Sequence, residues 1–92
     1  MNYSTQELVT LFNLCTPPRW VKMNVADATR TESTASDIIK EFARLLNSYF
    51  AGAMANYIES KTVWQISLTD WQFIEKQLKK HLYPPLAMST EE

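Results

Sequence analysis

Apolar residues in the middle of the chain fall at 38, 39, 42, 45, 46, 49, 50, 53, 54, 57 and 58. They lie on one arc at helical spacing, sustained for about six turns. The opposite face carries Lys40, Glu41, Arg44, Asn47, Ser48 and Glu59. This pattern predicts a helix from about 35 to 60, roughly 39 Å long at 1.5 Å per residue. Thr34 or Ser36 can cap it, with Asp37 in its first turn. Phe42 and Leu46 sit mid-arc and are expected to be almost fully buried.

Two shorter helices flank this one. Ser4 and Glu7 have the spacing of a capping box, and Leu8, Leu11, Phe12 and Cys15 follow at helical intervals. Pro17 stops that helix, and it pushes Thr16 toward extended geometry. Near the other end Ser67 or Thr69 can cap a helix with Asp70 in its first turn. Trp71, Ile74, Leu78 and Leu82 then share one face. Lys79, Lys80 and His81 suit its C-terminal dipole, and Pro84 with Pro85 is expected to end it. Residues 86–92 read as a flexible tail.

Residues 19–29 admit two readings. Val21, Met23 and Val25 alternate as in a strand, which can pair with the β-favouring Val63, Trp64 and Ile66. Alternatively, Pro18 can open a short helix. The predicted fold is therefore mainly α: one small domain over 1–92, with a long central helix between shorter N- and C-terminal helices. A minor two-stranded β element, making the fold α+β, is the alternative.

Composition narrows the picture. With a single glycine, Gly52, the chain has few sites for positive-φ turns, which favours helices over compact β folds. Nine basic against ten acidic residues leave a net charge of −1 and no overall pull toward nucleic acid. A lone cysteine excludes an internal disulfide and implies a reducing compartment, here the cytoplasm. The opening MNYSTQEL does not read as a signal peptide, and no apolar run is long enough to span a membrane.

Catalytic chemistry is poorly supplied. Cys15 and His81 fall on different elements, Cys15 as a core thiol and His81 as a helix-end cation. No metal-ligand spacing and no glycine-rich phosphate loop occur, so no catalytic, cofactor or metal residues are assigned and an enzyme is not expected. The stretch FNLCTPPRWVKMN, residues 12–24, is the remaining candidate. Phe12, Trp20 and Met23 can anchor it while Arg19 and Lys22 point outward. Arg19, Trp20, Lys22 and Arg30 are the candidate partner contacts, because arginine and aromatic residues are favoured in interface hot spots. An exposed loop charge contributes little to stability, so Arg19→Glu is expected to leave folding nearly unchanged. The same residues suit phosphate and base contacts, a second and less favoured reading.

A small, cysteine-poor, near-neutral chain without catalytic residues resembles the anti-CRISPR proteins of bacteriophages, particularly inhibitors of type I surveillance complexes. The resemblance spans the whole chain and rests on no shared motif. It implies a stoichiometric inhibitor that docks on a host defence ribonucleoprotein and blocks target-DNA binding or nuclease recruitment. The functional expectation is a non-enzymatic protein acting by protein–protein contact. The alternatives are a small nucleic-acid-binding or regulatory protein and a homo-oligomer built on the central helix.

Overall fold

The computed structural model describes residues 3–59 and 66–91. Five helices occur there: α1 (Thr5–Cys15), α2 (Val25–Thr29), α3 (Thr34–Phe50), α4 (Met54–Glu59) and α5 (Leu68–Glu91). The fold is mainly α, as the pattern predicts, and no strand occurs among the described residues. The chain divides into two units. One comprises Met1–Asn13 with Lys22–Gln65, the other Leu14–Val21 with Ile66–Glu92.

In the first unit α1 begins with the expected capping box. The Ser4 backbone N–H donates to Glu7 Oε1 at 2.8 Å, and the Glu7 N–H donates to Ser4 Oγ at 3.1 Å. Two otherwise unpaired donors are thereby satisfied reciprocally. Leu8, Val9 and Phe12 are buried. Leu11 is only half-buried, so the inward stripe runs through Val9 rather than Leu11.

The strand expected over 21–25 is absent, and so is the helix expected from Pro18. Residues 21–24 form an irregular connection in which a side chain satisfies the backbone of Met23. The Asn13 amide accepts from the Met23 N–H at 2.7 Å and donates to the Met23 carbonyl at 3.0 Å. One side-chain amide thus supplies both bonds that a neighbouring strand would have supplied. The proposed pairing partner over 63–66 falls largely on residues 60–65, outside the described residues. The short helix starts instead at Val25, because Asn24 caps it by accepting from the Ala26 and Asp27 N–H groups at 2.7 and 3.4 Å.

Ser33 joins α2 to α3. Its hydroxyl donates toward the Asp27 and Arg30 carbonyls and accepts from the Ser36 N–H at 3.0 Å. The N-cap of α3 is therefore Ser33, not Thr34 or Ser36. The preceding Glu32 holds φ +63°, a left-handed conformation uncommon outside glycine and asparagine. α2 packs on α3. Ile39, Phe42, Leu45 and Leu46 are buried, with Phe42 at 0% and Leu46 at 1% exposure. Phe12 meets Phe42 edge to face, with ring centroids 5.5 Å apart and planes at 84°.

The long helix expected over 35–60 is broken. α3 ends at Phe50 and α4 starts at Met54, with Gly52 at φ +72° between them. The Ala53 N–H bonds the Ser48 carbonyl at 2.9 Å and the Gly52 N–H bonds the Tyr49 carbonyl at 3.1 Å. That pair of bonds is the Schellman motif, and glycine in the left-handed position is what permits it. The periodicity ran through the break because apolar spacing does not register a glycine that is tolerable inside a helix. Beyond the corner α4 returns onto α3, burying Met54 and Tyr57.

The return explains a second departure. Glu41, expected on the solvent face, is 4% exposed. The Tyr57 hydroxyl lies 2.8 Å from Glu41 Oε2 and 3.0 Å from the Glu41 carbonyl oxygen, and Arg44 Nη1 donates to Oε1 at 2.6 Å. A buried carboxylate is tolerated when its oxygens accept charge-assisted or hydroxyl hydrogen bonds. Here both do.

In the second unit Ser67 caps α5 by accepting from the Asp70 N–H at 3.2 Å. Trp71, Ile74 and Leu78 form the expected buried face, and Leu82 is half-buried. Pro84 and Pro85 do not end the helix, which continues to Glu91. Proline has helical φ. What it removes is the N–H that would bond four residues back, so the pair lowers the helix's bonding without forbidding its path.

Truncating Phe42 tests the core of the first unit. Phe42→Ala removes a side chain with no solvent exposure and is expected to cost about 3–5 kcal/mol, a large part of the stability of so short a chain. A melting temperature within a few degrees of the parent would contradict this packing.

Candidate functional site

The candidate stretch resolves into a turn. The Trp20 N–H donates to the Pro17 carbonyl at 3.0 Å, closing a four-residue turn in which Pro18 takes the second position. Proline's fixed φ suits that position. Cys15, Thr16 and Pro17 before the turn are buried, and Trp20 is half-buried. This root holds the turn, and Arg19 sits at its tip.

Arg19 does not stand alone. Its Nη2 pairs with Asp70 Oδ1 in the first turn of α5. The Asp70 side chain is only 10% exposed, whereas that of Arg19 is 67% exposed. The carboxylate also lies near a helix N-terminus, where negative charge is favoured. The pair thus ties the turn to the start of α5 within one unit. The expectation that Arg19→Glu leaves folding unchanged needs correction, since reversal would set two carboxylates together, one of them mostly buried.

The other candidate residues have different surroundings. Lys22 and Arg30 belong to the first unit and are exposed. Arg30 Nη1 lies 3.4 Å from Asp27 Oδ1, an exposed pair three residues apart. Arg19 and Trp20 therefore share one turn, whereas Arg30 pairs with Asp27 in its own unit.

Three further residues of the unit that holds Arg19 were not among the contacts that the sequence suggested. Leu14, Val21 and Leu68 are large, aliphatic and exposed by 51%, 88% and 69%. All three lie in the second unit. Along the chain Val21 is two residues from Arg19 and Leu68 two residues from Asp70, the partners of one ion pair. No pattern marks them as exposed, because an aliphatic residue carries the same sequence signal whether it faces core or solvent.

Cys15 is fully buried, and burial pushes its thiol from 9.0 up to about 11. A thiol that holds its proton this strongly is a poor nucleophile at neutral pH. His81 is exposed on α5. Among the described residues no three His, Cys, Asp or Glu side chains converge as metal ligands, and no helix is long and apolar enough to cross a membrane. No protein-family model, curated protein or solved structure matches the chain.

Two measurements follow from this geometry. Arg19→Glu is expected to destabilise the fold by ~1–2 kcal/mol, a figure kept low by the solvent around the arginine. The loss should shrink when Asp70→Asn is added, since the repulsion then vanishes. Equal losses with and without Asp70→Asn would dissolve the pair as an energetic unit.

Cys15 makes a pH-dependent contribution. Between pH 9 and 11 an unfolded chain releases the thiol proton while the folded chain keeps it. The unfolded state then binds fewer protons, so stability falls as pH rises. The contribution is complete below pH 9 and is lost through pH 11, by about 2–3 kcal/mol. The stability gap between the parent and Cys15→Ala should narrow across that window. A gap that stays constant from pH 8 to 11 would contradict the buried protonated thiol.

Proposed function

We propose that the chain is a non-enzymatic binding protein that docks on a protein partner through its second unit. The observation that carries this reading is the exposure of Leu14, Val21 and Leu68 in the same unit as the Arg19–Asp70 pair. Three large aliphatic side chains left in solvent on one small unit are costly unless a partner covers them. The ion pair and the half-buried Trp20 hold the turn in place beforehand, so docking requires little ordering. Arg19 keeps part of its guanidinium in solvent, available to a partner acceptor alongside Asp70.

The specific form of this reading is a phage-type inhibitor acting on a host defence complex, in keeping with the chain's resemblance to anti-CRISPR proteins. The nucleic-acid alternative is weakened by the partners of its cations. Arg19 faces a mostly buried carboxylate and Arg30 lies near Asp27, which reduces the positive charge open to phosphate.

Val21→Glu and Leu68→Glu test the reading. Both positions are exposed, so each variant should melt within a few degrees of the parent. Affinity capture from host cells, read by mass spectrometry, should recover a partner with the parent chain that both variants lose. A Lys76→Glu control on the exposed side of α5 should retain it. A partner kept equally by all four chains would remove this surface. Micromolar binding of the isolated chain to DNA near 150 mM salt, with a steep salt slope, would favour the nucleic-acid alternative.

A further inference from the structure

We infer that the Gly52 corner is a domain-swap hinge, and that the surface of α3 covered by α4 accepts the α4 of a second copy of this chain. The apolar arc supports the hinge directly. Ile39, Phe42, Leu46, Phe50, Ala53 and Tyr57 keep one helical phase across the break, so the sequence suits a continuous helix over 34–59 as well as the bent pair. Only the corner distinguishes the two forms. It depends on Gly52 at φ +72°, and a Cβ built there meets nothing within 4 Å. The bent form is thus selected by backbone conformation and not by crowding at the corner.

The two forms exclude one another. In the bent form Tyr57 reaches the Glu41 carboxylate and carbonyl. In a continuous helix these residues lie about 24 Å apart along the axis at a rise of 1.5 Å per residue. Straightening therefore uncovers the buried Glu41 carboxylate and the seats of Met54 and Tyr57. The occupant that fits them is the same α4, with the same hydroxyl for the same carboxylate, from another copy. A reciprocal exchange of α4, carried with the chain after it, restores the contacts of α4 on α3 and requires of that helix pair a new conformation only at residues 51–53. Swaps of this kind interconvert at low cost when the hinge alone differs.

The experiment changes the hinge alone. Gly52→Ala disfavours the left-handed residue and favours helix, whereas Gly52→Asn tolerates the left-handed position. Gly52→Ala should become a concentration-dependent dimer by light scattering, while the parent and Gly52→Asn stay monomeric at the same concentration. Spin labels at Lys40→Cys and Asn56→Cys, in a Cys15→Ala background, report the corner within one chain. With labelled chain refolded in excess unlabelled chain, the pair should lengthen to about 24 Å in Gly52→Ala relative to the same pair with Gly52 retained. A dimer that keeps the short distance is a surface association and overturns the proposal. So does a Gly52→Ala chain that stays a folded monomer, or one that unfolds without dimerising. Loss of partner capture by Val21→Glu bears on the binding surface of the second unit and not on this hinge, so the two readings fail separately.

Discussion

The first unit depends on the corner at Gly52. An uninterrupted helix would carry Met54 and Tyr57 away from α3 and leave its middle turns without a cover on that side. The left-handed glycine closes the Schellman bonds from Gly52 to Tyr49 and from Ala53 to Ser48, and turns α4 back. From that one backbone conformation follow the burial of Tyr57, the burial of Glu41 and the hydrogen bonds between them. A carboxylate taken out of water is stabilising only while those bonds are made, so the corner and the buried polar contact support each other.

Polar side chains elsewhere do work that regular structure does not. Asn13 satisfies both peptide groups of Met23 and so replaces a strand neighbour. Ser33 ends α2 and begins α3 with one hydroxyl. Such side-chain bonds let a chain with one glycine make several abrupt changes of direction. Glu32 takes a left-handed conformation where a glycine would ordinarily stand, and the Ser33 network beside it offsets that local strain.

The second unit shows another economy. A turn with two prolines is rooted by buried Cys15, Thr16 and Pro17 and fastened at its tip by Arg19 to Asp70. The fastening uses the charge that the sequence offered as a free contact. The large apolar side chains left uncovered in the unit are instead Leu14, Val21 and Leu68.

α1, the body of α3 and the start of α5 were legible without coordinates, whereas α2 and the division of α3 from α4 were not. The capping box of α1, the buried stripe of Phe12, Phe42, Leu45 and Leu46, and the Trp71–Ile74–Leu78 face of α5 all follow from helical spacing, which local sequence encodes. The candidate stretch was legible as a place and only partly as chemistry: Arg19 and Trp20 were marked, whereas Leu14, Val21 and Leu68 carry no signal that separates core from surface. What spacing cannot report is a relation between residues distant along the chain. That Gly52 takes the left-handed conformation and not a helical one is invisible to apolar spacing, and that Glu41 is buried and Arg19 meets Asp70 depends on how distant segments meet, so only the tertiary structure decided them.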